Sequence, residues 1–186
     1  SNTRTAVSLT INPLPAVNDE SLSFCENTSL ILSADLDNVD YQWNTGATTR
    51  DIEVNAPGIY SVLVTDDNGC SNTKIITLEQ IDLPIIENII SDGPSIIVTT
   101  ANDGDFEYSL DNSNYQDNSF FEAVPGGRYV VYVRDKTDCG VVSQEYLHLV
   151  IPKFFTPNGD SINDIFRAEG LEAFNRNELF IFDRFG

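Results

Sequence analysis

Pro57-Gly58-Ile59-Tyr60-Ser61-Val62-Leu63-Val64-Thr65-Asp66, closing in Asn68-Gly69-Cys70, is matched later by Pro125-Gly126-Gly127-Arg128-Tyr129-Val130-Val131-Tyr132-Val133-Arg134-Asp135, closing in Asp138-Cys139-Gly140. Each copy opens on a turn, runs through valines and aromatics, and ends on a second turn. Short β-branched runs bounded by Gly, Pro, Asn and Asp read as strands. Upstream, Tyr41-Gln42-Trp43 corresponds to Phe106-Glu107-Tyr108. The copies lie about 65 to 69 residues apart, a spacing typical of tandem modules.

The rest of each copy follows the same plan. In the first, Ser29 to Ala34, Val39 to Trp43, Asp51 to Val54, Tyr60 to Thr65 and Lys74 to Leu78 are strand candidates. In the second they are Ser95 to Thr100, Phe106 to Leu110, Arg128 to Arg134 and Val141 to Val150. Helical periodicity is missing from any window longer than about ten residues. The expected fold class is therefore all-β, with tandem immunoglobulin-like β-sandwiches. The expected boundaries are 1–15 for the last strand and linker of a preceding module, 16–82 for module one, 83–150 for module two, and 151–186 for a terminal segment. Thr5 to Asn12 reads as that earlier strand. Each joint holds proline (Pro13 and Pro15, Pro84, Pro152), which stiffens a short linker, so a semi-rigid rod is expected.

The terminal segment carries the most specific signal. Phe155-Thr156-Pro157-Asn158-Gly159-Asp160 is followed by Asn163-Asp164 and Phe166, and later by Ile181-Phe182-Asp183-Arg184 and Gly186. Pro157 to Asp160 is turn chemistry: proline presets φ, glycine accepts positive φ, and Asn and Asp bond back to nearby backbone. Ile181-Phe182 reads as a short strand. In order and spacing these blocks resemble the start of the gliding-motility-associated C-terminal domain, the type B sorting domain of Bacteroidetes type 9 secretion substrates. Ser161 stands where that family usually has glycine. The resemblance implies that 151–186 is the N-terminal part of a third, incomplete β-sandwich acting as an export address. The upstream copies likewise resemble the PKD-like and Ig-like repeats of SprB-like gliding adhesins.

Composition bounds the alternatives. The chain has 186 residues, 41% of them hydrophobic, and a net charge of −19. Phosphate recognition needs clustered Lys and Arg, so nucleic acid is an unsuitable partner. No apolar run has bilayer-spanning length. Methionine is absent even at position 1, as expected of a processed product or an excised piece.

Three cysteines fit an oxidising compartment better than a metal site. Cys25 precedes the Ser29 strand and Cys70 follows the Tyr60 strand. If consecutive strands alternate in direction, those two ends meet, and a Cys25–Cys70 disulfide is expected, stabilising the module by roughly 4 kcal/mol. Cys139 would then be a leftover thiol.

Catalysis finds no foothold in the sequence. The single histidine, His148, alternates away from Leu147 and Leu149 and reads as a surface or boundary residue, without a nucleophile motif nearby. Zinc spacing is missing. Asn158 to Asp164 fails the EF-hand pattern at Thr156, Ser161 and Arg167, while a looser calcium site at Asp160, Asn163 and Asp164 stays open on hard-cation chemistry. The other acidic turns read as Asx-turns. Trp43 is expected in the core, and Tyr60 and Tyr129 as tyrosine corners or core residues.

The function expected is thus a non-catalytic C-terminal stalk and type 9 sorting signal of a secreted cell-surface adhesin. The resemblance implies the type 9 translocon and a PorP/SprF-like outer-membrane protein as partners, and the exterior of the outer membrane as the location. The alternative is a carbohydrate-binding or accessory stalk of a type 9 secreted polysaccharide-degrading enzyme. No cofactor beyond the open calcium site is expected.

Overall fold

The computed structural model describes residues 11–161, 164–173, 176, 178, 180 and 182. The fold is all-β, and the chain divides into two compact units, Ser1–Ile81 and Asp82–Gly186.

The first unit contains β1 (Glu20–Cys25), β2 (Leu30–Ser33), β3 (Asp40–Trp43), β4 (Asp51–Val54), β5 (Gly58–Thr65) and β6 (Ser71–Ile81). They form a sheet of order β1-β6-β5-β3 facing the pair β2-β4. All pairings are antiparallel except β1 with β6. Alternation decides which side chains turn inward. Val62 and Val64 of β5, Ile76 and Leu78 of β6, Leu32 of β2, Ile52 and Val54 of β4, and Trp43 of β3 meet in one core. Burying each such aliphatic side chain contributes about 1.5–3 kcal/mol. The Trp43 indole N–H, which burial would otherwise orphan, donates to Thr49 O at 2.8 Å.

One inward position of β6 holds a charge. Lys74 is only 2% exposed. Its ammonium donates to Glu20 Oε1 at 2.9 Å, to Ser33 O at 3.0 Å, and to Asp35. All three protons are therefore placed, and the ion links β1, β6 and the end of β2 across both sheets. Burial alone pulls the Lys74 pKa down, but the hydrogen bonds to Asp35 and Glu20 outweigh it and hold it above the ordinary value.

The second unit contains β7 (Ile86–Asp92), β8 (Ser95–Thr100), β9 (Phe106–Ser109), β10 (Phe120–Phe121), β11 (Gly127–Asp135) and β12 (Val141–His148). Its sheets have the orders β10-β8-β7 and β12-β11-β9. Ile96, Val98, Phe106, Val124, Val131 and Val133 form the core. Within each unit, the strand after the first turn region, the tyrosine strand and the last strand share a sheet (β3, β5, β6 and β9, β11, β12). Two others pair opposite them (β2, β4 and β8, β10). This is the immunoglobulin-like layout. Both tyrosines are corners: Tyr60 Oη donates to Ala56 O and Tyr129 Oη to Pro125 O, each at 2.8 Å.

Two strands lie outside the sequence expectation, β1 and β7, while the two-residue β10 falls at Phe120-Phe121, where strand burial is the expected reading. The expected earlier strand at Thr5 to Asn12 falls largely outside the described residues. A smaller part of the expected third sandwich, 11 of the 36 residues at 151–186, also falls outside them. In its described part the chain makes a β-bridge between Val150 and Glu169 and a 3-10 turn at Leu171–Ala173.

The cysteines pair differently from expectation. Cys70 is a free thiol, and Cys25 and Cys139 are each disulfide-bonded. The expected Cys25–Cys70 bond is corrected by the register of β1. Cys25 ends β1 opposite Ile81, the last residue of β6, whereas Cys70 immediately precedes Ser71, the first. The 11 residues of β6 span roughly 35 Å at ~3.3 Å each, far beyond the ~7 Å Cα separation a disulfide tolerates. Strand parity explains the difference. Gly58 of β5 pairs with Leu78 near the Cys25 level, and Leu30 of β2 follows the turn after Cys25. Both strands therefore start at the same end and run the same way.

Candidate functional site: the C-terminal segment

The chain leaves β12 at His148, and Glu169 comes back to bridge Val150 just beyond the strand end. Val150 N donates to Glu169 O at 3.1 Å, and Glu169 N donates back to Val150 O at 2.9 Å. Inside the loop one carboxylate organises the Pro-Asn-Gly-Asp turn. Asp164 Oδ1 accepts from the backbone N–H of Asn158 and of Gly159, both at 2.8 Å, and Oδ2 accepts from Ser161 N–H at 2.6 Å. Asn158 Nδ2 donates to Asp160 Oδ2 at 2.9 Å, and Asp160 N–H returns to Asn158 Oδ1 at 3.2 Å. The Gly159 backbone N–H, with those of Ser161 and Asn158, holds Asp164 below its ordinary carboxylate value. Gly159 sits at φ 81° and Ser161 at φ 67°. Ser161 thus holds a left-handed conformation that glycine adopts at no steric cost.

The turn residues Phe155, Thr156, Pro157, Asn158, Gly159, Asp160 and Asp164 are thus brought together. Asn163, Asp183, Arg184 and Gly186 lie outside the described residues. Phe155 meets Phe166 edge to face at 5.9 Å, yet Phe154 and Phe155 remain 67% and 48% exposed. The turn closes on backbone donors through the same carboxylate that the calcium reading assigned to a cation. Among the described residues, no three His, Cys, Asp or Glu side chains form a metal-binding group.

Residues 169–173 are seated on the second unit by glycines. Gly126 N–H donates to Glu169 Oε2 at 3.2 Å. A Cβ at Gly126 would lie 2.2 Å from the Glu169 carbonyl carbon, and one at Gly170 would lie 2.4 Å from His148 O. Gly170 itself has φ 89°. Arg128 Nη2 reaches Ala173 O at 3.5 Å. The Tyr129 corner lies in the same neighbourhood, and burial, with Glu169 nearby, pushes its phenol pKa up.

His148 is completely buried, which corrects the expected surface or boundary position. It pairs in register with Gly127, which has no side chain to occupy the space, and the returning segment packs against its carbonyl. Its Nε2–H donates to Val124 O at 3.1 Å, and Nδ1 accepts from Ser91 Oγ at 2.7 Å. Ser91 also meets Tyr146 Oη at 2.8 Å. A carbonyl can only accept, so the hydrogen-bonding pattern places the imidazole proton on Nε2. Alternation along β12 missed this burial because the ring is enclosed by residues far from it in sequence, Ser91, Val124 and Tyr129.

The same carboxylate-to-backbone device recurs elsewhere. Asp66 Oδ1 accepts from Asn68 and Cys70 N–H at 2.9 and 2.8 Å, and Asp111 Oδ1 from Ser113 and Asn114 N–H, both at 2.8 Å. The Cys70 N–H depresses the Asp66 pKa most, and the Asn114 N–H that of Asp111. Asx-turn chemistry therefore accounts for these acids.

Residues 149–186 match the model of the CHU_C type IX secretion signal domain. That match implies sorting by the type IX machinery to the cell exterior. No helix among the described residues is long and apolar enough to cross a membrane. No curated protein matches the chain in sequence. Among solved structures, the N-terminal eight Ig domains of DSCAM isoform 1.30.30 are similar at 10% identity and TM-score 0.48, covering 73% of this chain and 27% of that one. Drosophila OTK extracellular domains 3–5 give 12% and 0.43, covering 71% and 59%. Murine CEACAM1b gives 12% and 0.43, covering 68% and 94%. The chain thus spans less than two thirds of the first two. Strand order and register, not these likenesses, carry the immunoglobulin-like description.

Proposed function

We propose that this chain is the non-catalytic stalk and export address of a cell-surface adhesin. The address is residues 149–186, read by the type 9 translocon. A PorP/SprF-like outer-membrane protein then holds the product on the cell exterior. The observation that carries this reading is a matched segment that closes a turn on Asp164 and then, at Glu169 and Gly170, seats on a folded module. Export machinery meeting that surface finds a preassembled shape, with Phe154 and Phe155 exposed beside it. Exposed aromatics on an ordered turn suit a protein partner. The non-catalytic part is supported by His148, both of whose ring nitrogens are committed inside the second unit.

Deleting Phe155 to Gly186 in the producing cell tests the reading. The truncated chain is expected to fold and to remain inside the outer membrane, with none detected on cells or in medium. Export at the level of the intact chain defeats the proposal. Protease treatment of whole cells tests attachment: surface-held product is digested without lysis, whereas freely released product is found in the medium.

A further inference from the structure

The two copies differ at the last pairing before the turn that follows the tyrosine strand. In the first unit Thr65 ends β5, and its hydroxyl meets that of Ser71 at 2.9 Å. Its counterpart in β11 is Arg134, in register with Glu107 of β9. Arg134 Nε donates to Glu107 Oε1 at 2.5 Å, and the guanidinium carbon lies 3.9 Å from the centre of the Tyr115 ring. The ion pair and the ring hold the guanidinium plane. Among the described residues, none accepts a hydrogen bond from its Nη1 or Nη2.

A cavity of about 190 Å³ opens at this place, lined by Asn112, Tyr115, Arg134, Asp138, Gly140 and Val141. Its walls are fixed without a ligand. Asp111 pins the loop that presents Asn112 and Tyr115, and Tyr115 Oη donates to Asn112 Oδ1 at 2.6 Å. Val141, 50% exposed, adds an apolar wall.

The lining selects a ligand class. An anion drawn to Arg134 would also meet Asp138, with Glu107 behind it, on a chain of net charge −19. A cation would meet Arg134. A neutral molecule that both accepts and donates satisfies both groups, and adjacent sugar hydroxyls do so. Guanidinium donors take the hydroxyl oxygens, and the carboxylate takes their protons. We propose that this cavity binds a neutral hexopyranose of a glycan, with Arg134 and Asp138 holding neighbouring hydroxyls and Val141 and Tyr115 beside the apolar ring face. This assignment stands on the second unit alone, independently of the export reading.

The test is an amide NMR titration of the full chain with methyl β-glucopyranoside, methyl α-mannopyranoside and methyl β-galactopyranoside, and with glucuronate as the charged control. At least one neutral glycoside is expected to shift the Asn112, Tyr115, Arg134 and Val141 resonances saturably. Arg134→Ala is expected to weaken that binding at least tenfold. Because Arg134 also ties to Glu107, Asp138→Asn serves as a second variant and is expected to weaken it several-fold. The proposal is overturned if none of the three glycosides shifts these resonances, if glucuronate alone does, or if both variants bind as the parent does.

Discussion

At Ser161 a side chain occupies backbone space that favours glycine. Its φ of 67° is imposed because its N–H must reach Asp164 Oδ2. Replacing Ser161 with glycine should relieve about 1 kcal/mol of left-handed strain. The expected readout is an about fivefold rise in hydrogen-exchange protection at Asn158, Gly159 and Ser161; unchanged protection would mean the turn is not limited by that dihedral. Asp66, Asp111 and Asp164 share another consequence. Their folded pKa values lie below the ordinary 3.8. A depressed carboxylate contributes stability above its unfolded pKa and loses it as pH falls through the folded value. In ~0.5 M salt, which screens the net charge, the melting temperature should hold steady above about pH 5 and fall below 3.8. A melting temperature that stays level down to pH 2 would contradict this. Pro157-Asn158-Gly159-Asp160 was legible as a turn because its signal is local. Its clamp, Asp164, was not assigned that role, because its bonds span three to six residues and leave no mark on composition.

Among elements, β6 carries the plainest test. Lys74→Ala leaves a cavity and an unpaired Ser33 carbonyl inside the first unit. A loss of about 3 kcal/mol is expected. Lys74→Met refills the volume and releases Glu20 and Asp35 to water, so it should cost much less; equal losses in urea titrations of the two would refute the packing argument. In the second unit, Gly126→Val forces its side chain into the Glu169 backbone. Residues 164–173 should then detach, and trypsin should cut after Arg167 several-fold faster while the core melts as before. Unaltered cleavage would mean the seat is not held there. Strands with strong alternation, such as Tyr60 to Thr65 and Ser95 to Thr100, were readable from sequence. β1 was not assigned, although Leu22 and Phe24 alternate with serines. Its parallel pairing with β6 joins residues over fifty positions apart, and that one pairing also decides which cysteines can meet. His148 escaped for the same reason at the site: its cover is tertiary.

Across the whole molecule the cysteines give a count. The unfolded, unreduced chain should titrate one thiol, from Cys70. Two or three thiols would show that Cys25 and Cys139 are not oxidised. An oxidised pair suits a protein sorted to the cell exterior. One further property follows from the corner tyrosines. Aligned on Tyr60 and Tyr129, each of which bonds four residues back, Gly126 falls opposite Pro57. Proline has no N–H to offer Glu169, and its ring occupies the room the tail needs. The two modules are therefore not interchangeable cassettes. A lineage that lengthens this protein by duplicating domains can insert copies only ahead of the last one, and swapping the pair would leave the terminal segment with nowhere to sit.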